Sequence, residues 1–92
     1  MLNKGIPTMY YNSQSPTVVD LFCGCGGLSL GFQNAGFKII LGVDNWEDAL
    51  CTFSHNHSNA KTLLDDLSDA VPKHLFDGLD KNAIDIIVGG PP

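Results

Sequence analysis

Apolar stretches alternate along this chain with stretches of mixed character, in the repeating order strand, turn, helix, strand. Val18-Val19-Asp20-Leu21-Phe22, entered through Thr17, is a near-continuous apolar run of the kind that strands covered on both faces display. Cys23 to Gly27 reads as a glycine-rich turn. Over residues 28–35 the apolar side chains Leu28, Phe32 and Ala35 recur at i, i+4 and i+7, which predicts a helix with that face inward. Gly36 stands where a helix C-terminal glycine belongs.

Residues 37–43 form a second buried apolar run that Asp44 closes. A second helix is expected from Trp46 to about His55, with Ala49, Leu50 and Phe53 facing in. Residues 60–64 read as a short third strand leading into Asp65-Asp66. Residues 67–79 predict a helical turn or two, interrupted by Pro72 and Gly78, and residues 83–88 a fourth strand. The order β-α-β-α-β-(α)-β with short connections implies right-handed crossovers and a parallel sheet, an α/β fold with the fourth strand beside the first. Residues 1–16, with Pro7, Pro16 and a polar Asn-Ser-Gln-Ser cluster, read as a flexible leader, and residues 17–92 as one folded unit.

In such sheets ligands bind beyond the carboxyl ends of the strands. Four ends should therefore share one edge: Cys23 to Gly27, Asp44-Asn45-Trp46, Asp65-Asp66 and Gly89-Gly90-Pro91-Pro92. Three glycines in four residues (Gly24, Gly26, Gly27) allow backbone to approach a ligand closely. The turn fails as a dinucleotide fingerprint, because Ser29 stands at the third glycine position. Asp44, 20 residues after Gly24, suits the hydroxyls of a ribose, and the alternative is a carboxylate favoured by a helix N-terminus. Trp46 is flat enough to stack on a purine and apolar enough to be core. Asp65 or Asp66 can accept from an exocyclic amine.

Charge narrows the ligand and the partners. No basic residue follows the glycine turn until Lys38, which argues against polyphosphate. Carboxylates around a glycine turn suit a ligand that is neutral or cationic near its centre, such as a sulfonium nucleoside. The net charge is −5 with five basic residues scattered singly, so this segment alone should grip nucleic acid poorly. Three cysteines, with no CxxC pair, argue for reduced thiols in a cytoplasm and against a disulfide framework. No apolar run is long enough to span a bilayer. Cys23 and Cys25 read as turn filler, Cys51 as buried or half-buried packing, and His57 and His74 as solvated; no metal-ligand spacing links them.

The run Asp20 to Leu28, Asp-Leu-Phe-x-Gly-x-Gly-Gly-Leu, resembles the DNA (cytosine-5)-methyltransferases, and Gly90-Pro91-Pro92 resembles the start of that family's Pro-Cys loop. The likeness runs from about Thr17 to Pro92. It implies part of a Rossmann-like methyltransferase fold and S-adenosylmethionine as cofactor. Asp20, Phe22, Gly24, Gly26 and Gly27 would contact it, Phe22 by packing on the adenine. Asp44, where the family more often has Glu, would take the ribose hydroxyls, with Asn45 or Trp46 flanking the adenine. Asp66 with Leu67 would meet the adenine amine, and Pro92 would stand just before the catalytic cysteine.

In the family that cysteine adds to C6 of a flipped cytosine, which makes C5 able to take the methyl group. The chain is expected to stop short of it, to lack a catalytic residue and to be inert alone, as a fragment of a restriction-modification type of enzyme. DNA would be held by regions outside these residues, and a second polypeptide carrying the cysteine is one expected partner. A stand-alone cofactor-binding or regulatory module and an RNA cytosine-5 methyltransferase fragment are the alternatives. The open edge of the fourth strand, with Ile84, Ile86, Ile87 and Val88, is expected to invite self-association.

Overall fold

Four strands line up side by side. A computed structural model describes residues 14–67, Leu79 and residues 81–90. Within them the chain runs β1 (Thr17–Leu21), α1 (Gly27–Asn34), β2 (Lys38–Asp44), α2 (Glu47–Asn56), β3 (Lys61–Leu64) and β4 (Ile86–Gly89), with a short 3-10 turn at Lys81–Ala83. All pairings are parallel, in the order β3-β2-β1-β4. This is the expected α/β sheet, with the fourth strand beside the first. The first 13 residues of the expected leader, and most of the helical turns expected over residues 67–79, lie outside the described residues.

Two apolar layers hold the sheet. On one face Val18, Cys23, Ile39, Leu50 and Phe53 pack together, with Phe32 of α1 and Phe37 against them. On the other, Val19, Leu41 and Val43 meet Leu63, Leu67, Leu79 and Ile84. A register shift between Val18 and Val19 gives β2 one extra residue, Ile40, opposite β1. β4 is shorter than expected because residues 83–85 serve Thr17. The Thr17 N–H donates to Asp85 Oδ2 at 2.9 Å, the Asp85 N–H donates to Thr17 Oγ1 at 3.0 Å, and the Thr17 hydroxyl donates to the Ala83 carbonyl.

Helix α1 departs from its predicted orientation. Leu28 is 47% exposed and Ala35 is also exposed, so the face defined by Leu28, Phe32 and Ala35 is not the buried one. Ser29 is fully buried instead, and Phe32 and Gln33 complete the inward face at i+3 and i+4. A serine can lie there because its hydroxyl finds the buried Asp20 carboxylate at 2.6 Å. The helix ends as predicted, in a Schellman motif. Gly36 (φ 97) donates to the Gln33 carbonyl, Phe37 donates to the Phe32 carbonyl, and the two phenylalanine rings meet edge to face at 5.3 Å.

Helix α2 buries Ala49, Leu50 and Phe53, as expected. Cys51 does not join them. It is exposed, because one step along a helix turns a side chain about 100° from the stripe its neighbour occupies. Among the described residues Phe53 is the largest fully buried side chain, and it lies against bare backbone at Gly42. A Cβ at Gly42 would stand 2.5 Å from two atoms of the Phe53 ring. Gly42→Ala should therefore destabilise the chain by about 1–3 kcal/mol, the usual cost of overpacking. Adding Phe53→Leu should recover part of that loss. Urea unfolding followed by circular dichroism checks both, and additive losses in the double variant would refute the contact as the cause.

Candidate functional site

The carboxyl ends of the four strands meet at one edge, and the turns that leave them are tied together by backbone. The Cys23 N–H donates to the Val43 carbonyl and the Asp65 N–H to the Asp44 carbonyl, both at 2.9 Å. The carboxylate of Asp44 gathers more. Oδ2 accepts from the Gly24 N–H at 2.7 Å, and Oδ1 accepts from the N–H groups of Asn45 at 2.7 Å and Trp46 at 3.2 Å. Three of roughly four acceptor directions of the carboxylate are thus engaged. Asp44 acts as the anchor of the α2 entry and also reaches across to the glycine turn.

Phe22, Asp44, Asn45, Trp46, Asp65, Asp66, Leu67 and Gly90 line a cavity of about 300 Å³ at this edge. That is the lower end of small-molecule sites, which run to roughly 1,000 Å³. Phe22 adopts φ 57, in the left-handed region where a residue with a side chain costs on the order of 1–2 kcal/mol. Such outliers cluster at binding sites. Trp46 is 64% exposed, so its ring is available to a ligand rather than used as core. Three carboxylates lie on the wall, and no lysine, arginine or histidine does among the described residues.

The residues singled out from sequence separate into groups. Phe22, Asp44, Asn45, Trp46, Asp66 and Leu67 share the cavity. Gly24 borders it through its bond to Asp44. Gly26 and Gly27 line a neighbouring hollow with Cys25, Leu30, Asn56 and His57. Asp20 lies beneath the edge, fully buried, with Oδ2 held by Ser29 and Oδ1 without a partner. Pro92 lies outside the described residues.

The thiols stand apart from the cavity. Burial, reinforced by the charges of Asp20 and Asp44, pushes the Cys23 thiol up to about 12, which keeps it protonated and inert. Cys25 and Cys51 are exposed, and neither lines the cavity. Among the described residues no cluster of three or more His, Cys, Asp or Glu is arranged to hold a metal ion. No helix among them is long and apolar enough to cross a membrane.

Residues 16–92 match the family model of the C-5 cytosine-specific DNA methylases. The chain belongs to that family. Its curated relatives include M.HindV of Haemophilus influenzae, a type II methyltransferase 43% identical over 74 residues, which are 80% of this chain and 23% of that protein. M.HgiGI of Herpetosiphon aurantiacus is 40% identical over 76 residues, 80% of this chain and 56% of its own length. M.AgeI of Thalassovita gelatinovora is 38% identical over 76 residues, 80% of this chain and 18% of its own length. The chain thus spans between about a fifth and just over a half of these relatives.

One member of the site region escaped the sequence reading. His57 is buried at 5% exposure, not solvated as predicted, and is packed against Phe53 and the glycine turn. A signal was present, because Ala49, Phe53 and His57 fall at i, i+4 and i+8 on one helical stripe.

Desolvation raises the Asp20 carboxyl above the ordinary aspartate range, outweighing the Ser29 hydrogen bond that pulls the other way. The folded chain therefore holds this proton more tightly than the unfolded chain. The resulting stability is full below the ordinary carboxylate pKa and is lost as pH rises through the elevated one. Urea unfolding from about pH 4 upward should show that decline, and Asp20→Asn should flatten it. A slope unchanged by the substitution would assign the decline to other carboxylates.

Proposed function

We propose that residues 17–92 are the S-adenosylmethionine-binding part of a DNA (cytosine-5)-methyltransferase. The observation that carries this reading is the cavity flanked by Phe22 and Trp46, rimmed by carboxylates and free of basic side chains among the described residues. Its size and charge fit a nucleoside bearing a positive centre and disfavour a polyphosphate. The buried, unpartnered Asp20 Oδ1 is a further acceptor beneath the same edge. Belonging to the C-5 cytosine-specific DNA methylases supports the same conclusion.

In this reading Phe22 and Trp46 flank the adenine, and Asp66 with Leu67 meets its amine. Asp44 offers its remaining acceptor capacity to the ribose while its other bonds hold the turns in place. Gly24, Gly26 and Gly27 present bare backbone, and Asp20 lies deepest. When bound, the cofactor supplies the activated methyl group. The nucleophile comes from elsewhere in the assembled enzyme, because none of the three thiols of this chain lines the cavity. DNA is gripped by other parts of the protein, since this segment carries net charge −5. The edge of β4, which pairs only with β1 among the described residues and leaves Ile87 52% exposed, is open to a further strand or to a second copy.

Trp46 is the only tryptophan, so its emission reports on the cavity. Titrating S-adenosylmethionine should shift that emission with saturation, whereas NAD should not. Trp46→Ala, followed by calorimetry, should weaken binding about five- to tenfold, the value of one lost aromatic contact. The chain alone should transfer no labelled methyl group to cytosine-containing DNA, and should do so once a polypeptide carrying the catalytic cysteine is added. Failure to bind the cofactor would overturn the reading, as would reproducible methylation by the chain by itself.

A further inference from the structure

His57 does not line the cavity between Phe22 and Trp46, yet both of its ring nitrogens are engaged. Nε2 lies 3.2 Å from the carbonyl oxygen of Gly26, and Nδ1 lies 3.0 Å from Oε1 of Gln33 in α1. A carbonyl oxygen only accepts, so the Gly26 contact requires a proton on Nε2. Gln33 serves Nδ1 in either state of the ring. It presents its oxygen to an N–H or, turned over, its NH2 group to a bare nitrogen.

The ring is held from every side. It stacks on Phe53 with centroids 4.7 Å apart and planes tilted by 39°. The backbone N–H of His57 closes the last turn of α2 on the Phe53 carbonyl at 2.8 Å, and the His57 backbone carbonyl accepts from the Ala60 N–H at 2.9 Å. On the loop side, a Cβ at Gly26 (φ 100) would stand 2.7 Å from Nε2. The Gly26 carbonyl also accepts from the Leu30 N–H at 2.9 Å, the bond that starts α1. Two donors from separate elements, α1 and the end of α2, thus converge on one oxygen of the glycine turn. From the end of β2, Asp44 accepts from the Gly24 N–H of the same turn at 2.7 Å.

We propose that His57 is a positioning residue for the glycine-rich turn, with Nε2–H holding the Gly26 carbonyl from α2 while Asp44 holds Gly24 from β2. Its consequence for cofactor affinity rests on the S-adenosylmethionine reading above; its hold on the turn does not. A side chain outside the cavity then sets the shape of the backbone that the ligand meets. Packing alone would be satisfied by any flat ring over Phe53, whereas this role needs the donor.

The test compares the 92-residue chain with His57→Phe, which keeps a ring and removes the donor, and His57→Gln, whose amide nitrogen reaches toward the place of Nε2. Proton–nitrogen correlation spectra of the unliganded wild type should show the His57 proton on Nε2; a ring protonated on Nδ1 alone overturns the proposal. Amide exchange at Gly24, Gly26 and Leu30 should quicken roughly tenfold in His57→Phe relative to β2, and return toward wild type in His57→Gln. Exchange that is unchanged, or that quickens equally throughout β2, overturns it as well. The Kd for S-adenosylmethionine should weaken by a similar factor in His57→Phe and recover in His57→Gln. A wild type that binds no cofactor refutes the proposed function, while the spectra and exchange still decide the role of His57. A looser turn with an unchanged Kd refutes the link from His57 to the ligand.

Discussion

Gly24, Asn45 and Trp46 belong to two different turns, and their N–H groups converge on one carboxylate, that of Asp44. Bonds to a charged acceptor contribute about 1.5–3 kcal/mol each. The one that reaches the turn after Phe22, from Gly24, is of the same size as the cost, on the order of 1–2 kcal/mol, of keeping Phe22 in the left-handed region. The strained aromatic wall of the cavity is stable because the turn that follows it is held by Asp44. Removing the carboxylate would release the entry of α2 and the glycine turn together, which is why the rest of the edge depends on it.

Behind that edge the packing forms a continuous column. Gly42 gives Phe53 room against bare β2 backbone, Phe53 carries the His57 ring, and His57 meets Gly26. Beside it, β1 buries Asp20 next to its carboxyl end, with only Ser29 as a partner for one oxygen. An unmet buried acceptor costs about 1–3 kcal/mol. Net folding stability is small beside such a term, so this cost in an inner strand marks a place where folding is not the only demand.

Much of the fold was legible because strands buried on both faces leave long apolar runs, as β1 and β2 do, and the shorter β3 and β4 fall where the alternation of strand and helix requires them. The cavity was legible for a related reason. Parallel topology sends every strand end to one edge, so Asp44, Asn45, Trp46, Asp65 and Asp66 could be grouped without knowing any distance, while Phe22 joined them only through the family resemblance. What sequence concealed was the behaviour of polar side chains whose partners are remote in the chain. Ser29 lies inward because Asp20, nine residues earlier, is buried beneath it. His57 is buried because Gly26, 31 residues away, offers it a carbonyl. Cys51 followed the opposite course, since an apolar neighbour at one step says nothing about which way a helical residue points.

The charge of the edge bears on how such a segment works with nucleic acid. Asp44, Asp65 and Asp66 stand on the cavity wall, in a chain of net charge −5. Like charges interact over about 10 Å at moderate ionic strength, so a phosphate backbone laid against this wall would be repelled. A cationic cofactor would be drawn in. Under the proposed function the two partners of the reaction must therefore arrive differently. On that reading the cofactor would settle among the carboxylates, while DNA would be held by surface outside this segment. Only an uncharged base, swung out of its stack, could reach the methyl donor without bringing its phosphate along the wall. If the cavity is the cofactor site, its carboxylates would favour a cationic ligand and disfavour the nucleic-acid backbone.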